Sequence, residues 1–80
     1  MRTHHFRQSS TIERIAYDEE RRELWITFHE AGRYVYTEVP PEAFEAFSRA
    51  QSAGKFFNAS IKDRYGFQRD PGRRRFGPVE

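Results

Sequence analysis

The chain reads as an α+β domain: a three-stranded antiparallel β-meander followed by two short helices packed on one face of the sheet. Three observations predict it. Leu24, Ile26 and Phe28 alternate with Trp25, Thr27 and His29 at the two-residue period of a half-buried strand. Glu30-Ala31-Gly32 follows as a three-residue hairpin turn, with Gly at the position that needs a left-handed backbone. After Val39-Pro40-Pro41, Ala43, Phe44, Phe47 and Ala50 recur at the spacing of a buried helical stripe.

The elements follow in order. Met1 to Ser9 is polar and aperiodic, which predicts a flexible basic arm over residues 1–9. Thr11 to Tyr17 is rich in β-branched residues and forms the first strand, with Ile15 and Tyr17 on one face. Ile12 breaks the alternation, the mark of a bulge or an edge start. Asp18 to Arg22 is a charged turn into the second strand. If His29 pairs with Arg33 across the next hairpin, Phe28 faces Tyr34, Ile26 faces Tyr36 and Leu24 faces Glu38, so both tyrosines join the apolar face. A four-residue loop slips the pairing by one and moves Tyr34 and Tyr36 beside Trp25 instead. The preferred register is the first.

Pro41 cannot donate to a ladder and its fixed φ suits the first helical turn, so the third strand ends and the first helix begins there. Glu42 and Glu45 lie near the positive end of that helix. Ser52 is placed to N-cap a second helix carrying Phe56, Phe57, Ala59 and Ile61, with Gly54 a weak point in its first turn. Tyr65 and Phe67 extend the apolar packing. The domain spans residues 10–68. Residues 69–80, with Pro71, Gly72, Gly77 and Pro78 around three consecutive arginines, read as a flexible Arg-rich tail.

Composition bounds the function. Eighty residues hold one modest core. Aliphatic side chains are few, so the thirteen aromatics (eight Phe, four Tyr, one Trp) must fill the interior. There is no cysteine, which excludes disulfides and thiolate metal sites and fits a reducing compartment. No apolar run is long enough for a membrane span, and residues 1–10 hold no secretory signal, so the expected location is cytoplasmic. The net charge of +2 hides a polarity: residues 1–10 carry +2, residues 11–48 carry −5, and residues 49–80 carry +5.

The landmarks also form an order: Ser10-x-Ile12, Tyr17-Asp18, Leu24-x-Ile26-x-Phe28, Gly32, Tyr34-x-Tyr36, Val39-Pro40, then Ala50-x-Ser52-x-Gly54-Lys55-Phe56-Phe57-Asn58, Ile61 and Tyr65. This set resembles the KTSC domain, a family named after the C-terminal appendage of some lysyl-tRNA synthetases and also found as small bacterial proteins. The resemblance covers roughly Ser9 to Phe67, and it marks Tyr34, Tyr36, Ser52, Gly54 and Asn58 as family-motif positions. It implies no catalytic activity and no cofactor, and an association with RNA by analogy alone.

The strongest chemical signal is basic and aromatic. Lys55, Lys62, Arg64, Arg69, Arg73, Arg74 and Arg75 are interleaved with Tyr65, Phe67 and Phe76. Guanidinium and ammonium groups neutralise phosphates, guanidinium planes also stack on bases, and exposed rings carry unpaired bases. Against this stands the bland reading: Arg outnumbers Lys twelve to two along the chain, and the basic end is then only a solvated tail. Tyr34 and Tyr36 are expected in the core. Trp25, Thr27 and Val35 are expected on the opposite face of the sheet, where an apolar patch would serve a protein partner or a second copy. Ser52-Ala53-Gly54-Lys55 is read as ordinary capping before anion capture. His4, His5 and His29 lack metal-ligand spacing, so no metal is expected. His29-Glu30 is the one adjacent acid–base pair and sits in an exposed turn, so no catalytic residue is assigned. The expected function is a non-catalytic binding module for RNA or other single-stranded nucleic acid through the basic, aromatic C-terminal third. The alternative is protein–protein interaction or homodimerisation through the Trp25 face. No membrane partner is expected.

Overall fold

The computed structural model describes residues 1–69. Arg73, Arg74, Arg75 and Phe76 of the expected tail lie outside the described residues. Among the described residues the architecture is α+β, with one antiparallel sheet in the order β1-β2-β3-β4-β5 and two short helices. The strands are β1 (Arg2–His5), β2 (Ile12–Asp18), β3 (Glu23–Phe28), β4 (Gly32–Tyr36) and β5 (Phe67–Arg69). Between β4 and β5 come α1 (Pro41–Ser48), α2 (Ala53–Phe56) and a π-helical turn (Phe57–Ile61).

The central meander is the one the alternation predicts, flanked by two further strands. The expected arm contains β1, paired antiparallel with β2 from Arg2↔Tyr17 to His5↔Arg14. Its sequence has no apolar period because tertiary contacts hold it. Arg2 reaches Glu19 at 3.1 Å and Glu45 at 3.5 Å, and its guanidinium lies over the Phe44 ring at 5.0 Å. Just past β1, Phe6 donates its N–H to the Glu13 carbonyl at 2.9 Å and its ring packs 5.6 Å from that of Phe47. At the other edge β5 pairs with β4, from Tyr36↔Phe67 to Tyr34↔Arg69. Arg69 is thus a strand residue and not the start of a tail.

The β3–β4 register corrects the expected one. Phe28 pairs with Gly32, Ile26 with Tyr34, Trp25 with Val35 and Leu24 with Tyr36, two positions away from the pairing of Leu24 with Glu38. A shift of two keeps every side chain on its face. It also has a cause in Glu38, since the expected register sets a carboxylate on the core side of the sheet, where desolvation is costly. Glu38 instead leaves the sheet with φ 59° and is exposed. Gly32, at φ 89°, closes the hairpin in a backbone region that glycine enters without steric cost. In β2 the pairing slips between Ile12 and Arg14, and this bulge brings Ile12 to the core face with Ile15 and Tyr17.

The helices cover the face that carries Ile15, Tyr17, Leu24, Ile26 and Tyr36. Phe44 and Phe47 of α1 are buried in one cluster with these residues, together with Val39, Ala53 and Ile61. Burying each Phe, Leu, Ile or Val side chain there contributes about 1.5–3 kcal/mol. Pro41 opens α1 at its first position. The Tyr17 hydroxyl, at the bottom of this core, donates to the Val39 carbonyl and so ties β2 to the chain entering α1. The Ser52 hydroxyl accepts the Lys55 N–H at 3.3 Å and caps α2. The expected second helix continues as a π turn, closed by the Lys62 N–H on the Phe57 carbonyl at 2.8 Å. The widened winding accommodates consecutive rings that pack in different places: Phe56 lies 5.0 Å from Phe47, and Phe57 lies 5.3 Å from Phe28.

Candidate functional site

Where β4, β5 and the π turn meet, the covered face of the sheet ends in a groove built almost wholly of rings. Sheet pairing aligns Leu24, Tyr36 and Phe67 in one row and Ile26, Tyr34 and Arg69 in the next, so the tyrosines flank the short β5. Phe67 stacks on Tyr36 with centroids 5.2 Å apart and tilts against Tyr34 at 5.6 Å. Phe57 meets Phe28 and Tyr36 edge-on at 5.3 and 5.7 Å, and Phe28 meets Tyr34 in the same way at 5.7 Å. The hollow between them measures about 210 Å³, with Ala31 and the exposed Lys62 completing its lining.

Two members of the groove differ sharply in exposure. Tyr36 is buried, at 3%, while Phe67 keeps 55% of its surface in water. Burial pushes the Tyr36 hydroxyl above its ordinary pKa, and the nearby Tyr34 and Asp63 add to the rise. The hydroxyl therefore stays protonated through neutral pH and is available as a donor. A phenylalanine left this exposed beside a stacked tyrosine presents a flat apolar surface to solvent, backed by a ring that holds it in place.

The groove brings Tyr34, Tyr36, Lys62 and Phe67 together. Lys55 lies exposed on α2 and Arg64 in the turn after Ile61, and neither lines the hollow. Tyr65 is half-buried against the core, so its ring is not a free platform. Phe28, Ala31 and Phe57 were not marked by the sequence as site residues. Phe28 and Phe57 had been assigned to the apolar packing and Ala31 to the hairpin turn, and only the pairing of Phe67 with Tyr36 shows which rings the interior leaves at its margin.

The family-motif positions Ser52 and Gly54 face a separate, polar hollow of about 450 Å³ between residues 4–11 and 48–54. Here Ser9 organises the backbone: its hydroxyl accepts the Thr11 and Ile12 N–H groups at 3.3 and 3.0 Å. A side chain at Gly54 would meet Thr11 at 3.7 Å, ordinary contact. Asn58 is exposed on the π turn. These groups are used in turns and caps, consistent with a structural role.

The opposite face of the sheet carries Trp25, Thr27 and Val35. Arg33 lies over the Trp25 ring at 5.5 Å, and the indole N–H is buried without a hydrogen-bond partner. Among the described residues no cluster of His, Asp and Glu could hold a metal, and no helix is long and apolar enough to cross a membrane.

Comparison with known proteins places these features in a family. Residues 8–65 match the KTSC domain. The chain is 40% identical over 58 residues to a protein of Tsukamurella paurometabola, covering 72% of this chain and 87% of that one. It is 36% identical over 58 residues to an uncharacterised protein of Stutzerimonas stutzeri, covering 72% and 82% respectively. Its fold superposes on the crystal structure of a KTSC domain protein from Yersinia pestis with a TM-score of 0.81 at 36% identity, over 86% of this chain and 96% of that one.

Proposed function

The chain belongs to the KTSC domain family, and we propose that this member is a non-catalytic module that holds single-stranded nucleic acid, RNA in the first instance, in the aromatic groove. One observation carries the reading: Phe67, 55% exposed and stacked on Tyr36, lines a hollow of rings that the exposed Lys62 also lines. Every base has a π face, so a stacking platform accepts unpaired nucleotides without needing a particular sequence, and a nearby cation neutralises the phosphate between them. The hollow suits a single flat ring. By sequence, the chain leaves β5 toward Arg73, Arg74 and Arg75, which supply further phosphate contacts in this reading. The mode of action is positioning alone, in a cytoplasmic setting that agrees with the absence of cysteine.

Fluorescence anisotropy of a labelled single-stranded RNA tests it. Binding is expected in the range of about 1–100 μM at low salt, and affinity falls by orders of magnitude between about 50 and 200 mM salt if six or more phosphates are held. Phe67→Ala removes one stacked base and costs about 1–3 kcal/mol of binding. Lys62→Ala weakens all sequences alike and lowers the salt slope by about 1. No binding at low salt, or binding untouched by Phe67→Ala, removes the groove from consideration.

A further inference from the structure

The outer face of the sheet, which no helix covers among the described residues, is divided by charge. Strand pairing aligns Thr3, Ala16, Trp25, Val35 and Gln68 in a central, largely uncharged row. On the hairpin side of it, pairing aligns His5, Arg14, Thr27 and Arg33. On the other side lie Asp18 and Glu23, paired with each other. Thus Trp25 stands between a basic row and an acidic one. A hollow of about 350 Å³ runs beside it, floored by Ala16 and Thr27 and edged by Arg14 and Arg33.

We propose that this face docks a second copy of the chain, related by a two-fold axis that runs across the strands along the Trp25 row. The charge pattern sets that orientation. A rotation about this axis reverses the strand direction of the facing sheet, so the basic row of each copy lies over the acidic row of the other, and the two Trp25 side chains meet near the axis. Turning the copy about an axis parallel to the strands instead sets arginine against arginine, which like-charge repulsion disfavours. The arrangement is isologous, each contact being made twice. It leaves the aromatic groove of each copy open, since the grooves lie on the other side of the sheets, and it does not depend on what those grooves bind.

The size of the face sets the strength. Strands about 4.8 Å apart and on average about 17 Å long give five strands a face of roughly 400 Å². That is about half of the ~800 Å² per partner in a standard interface, so the dimer is weak and concentration-dependent.

Sedimentation velocity of the full chain tests the proposal over about 10 μM to about 1 mM, the range in which an interface at the small end of the size scale populates both states. The expected result is a shift from monomer to dimer across that range, with Trp25 emission moving to the blue. Arg14→Glu and Asp18→Arg each keep the protein monomeric at the top concentration, because the axis lays position 14 of one copy over position 18 of the other, and each variant then makes two like-charge contacts in its own homodimer. An equimolar mixture of the two variants dimerises again, since both crossed contacts then join opposite charges, a recovery that a folding defect cannot produce. A wild type that stays monomeric throughout overturns the proposal, including one whose outer face is covered by its own residues 70–80. So does association that neither variant changes, or a mixture that fails to recover.

Discussion

Tyr17 joins packing and hydrogen bonding in one buried side chain. Its ring is fully buried and stacks 5.7 Å from Phe44, and its hydroxyl donates to the Val39 carbonyl. Tyr17→Phe keeps the ring but leaves that buried carbonyl without its donor, which costs about 1–3 kcal/mol in a denaturant titration. The same burial makes stability depend on alkaline pH. Desolvation raises the hydroxyl above its ordinary pKa of 10.0, with Arg22 pulling it back and Glu19 and Glu42 adding to the rise; Tyr36 is raised in the same direction. In the unfolded chain these groups ionise first, so the native state holds more protons. The stabilisation is therefore complete below pH 10 and is lost as pH rises through the native values. Thermal unfolding followed across that interval should show a flat melting temperature up to about pH 9 and a decline beyond it, smaller in Tyr17→Phe.

Among the elements, β3 and α1 were legible because each solves its own burial problem within one short segment. Leu24, Ile26 and Phe28 occupy one face of a strand, and Phe44 and Phe47 one face of a helix, and all the structure does is bring those faces together. The bulge at Ile12 was legible for the same reason, as a break in period. The edge strands β1 and β5 were not. Their residues show no alternation, and they are strands because β2 and β4 offer free backbone groups and because Arg2, Phe6 and Phe67 find partners distant in sequence. The π turn was equally hidden, being the winding that lets Phe56 and Phe57 both find ring partners. For β1 the physical claim is that Phe6 anchors it: Phe6→Ala, at a half-buried site, should cost about 1–3 kcal/mol, less than the ~3–5 of a fully buried ring. Hydrogen exchange at the β1 amides should quicken more than at β3, and equal protection in the variant would show that pairing alone holds the strand.

Taken together, the sheet separates two surfaces of different chemistry. One face is buried beneath the helices and ends in the ring-lined groove; the other displays Trp25 between opposite charges. The basic and aromatic C-terminal third was visible as composition, but composition did not distinguish Tyr65, which packs inward, from Phe67, which faces water. That distinction comes from β5, a three-residue strand with no sequence signature. In the proposed reading, nucleic acid touches the groove face alone. Amide chemical shifts recorded during titration with a short single-stranded RNA are the most direct test. The expected changes concentrate at Phe28, Ala31, Tyr34, Tyr36, Phe57, Lys62 and Phe67 while the Trp25 row stays still. Changes confined to Trp25 and its neighbours, or none at all at saturating RNA, would contradict it.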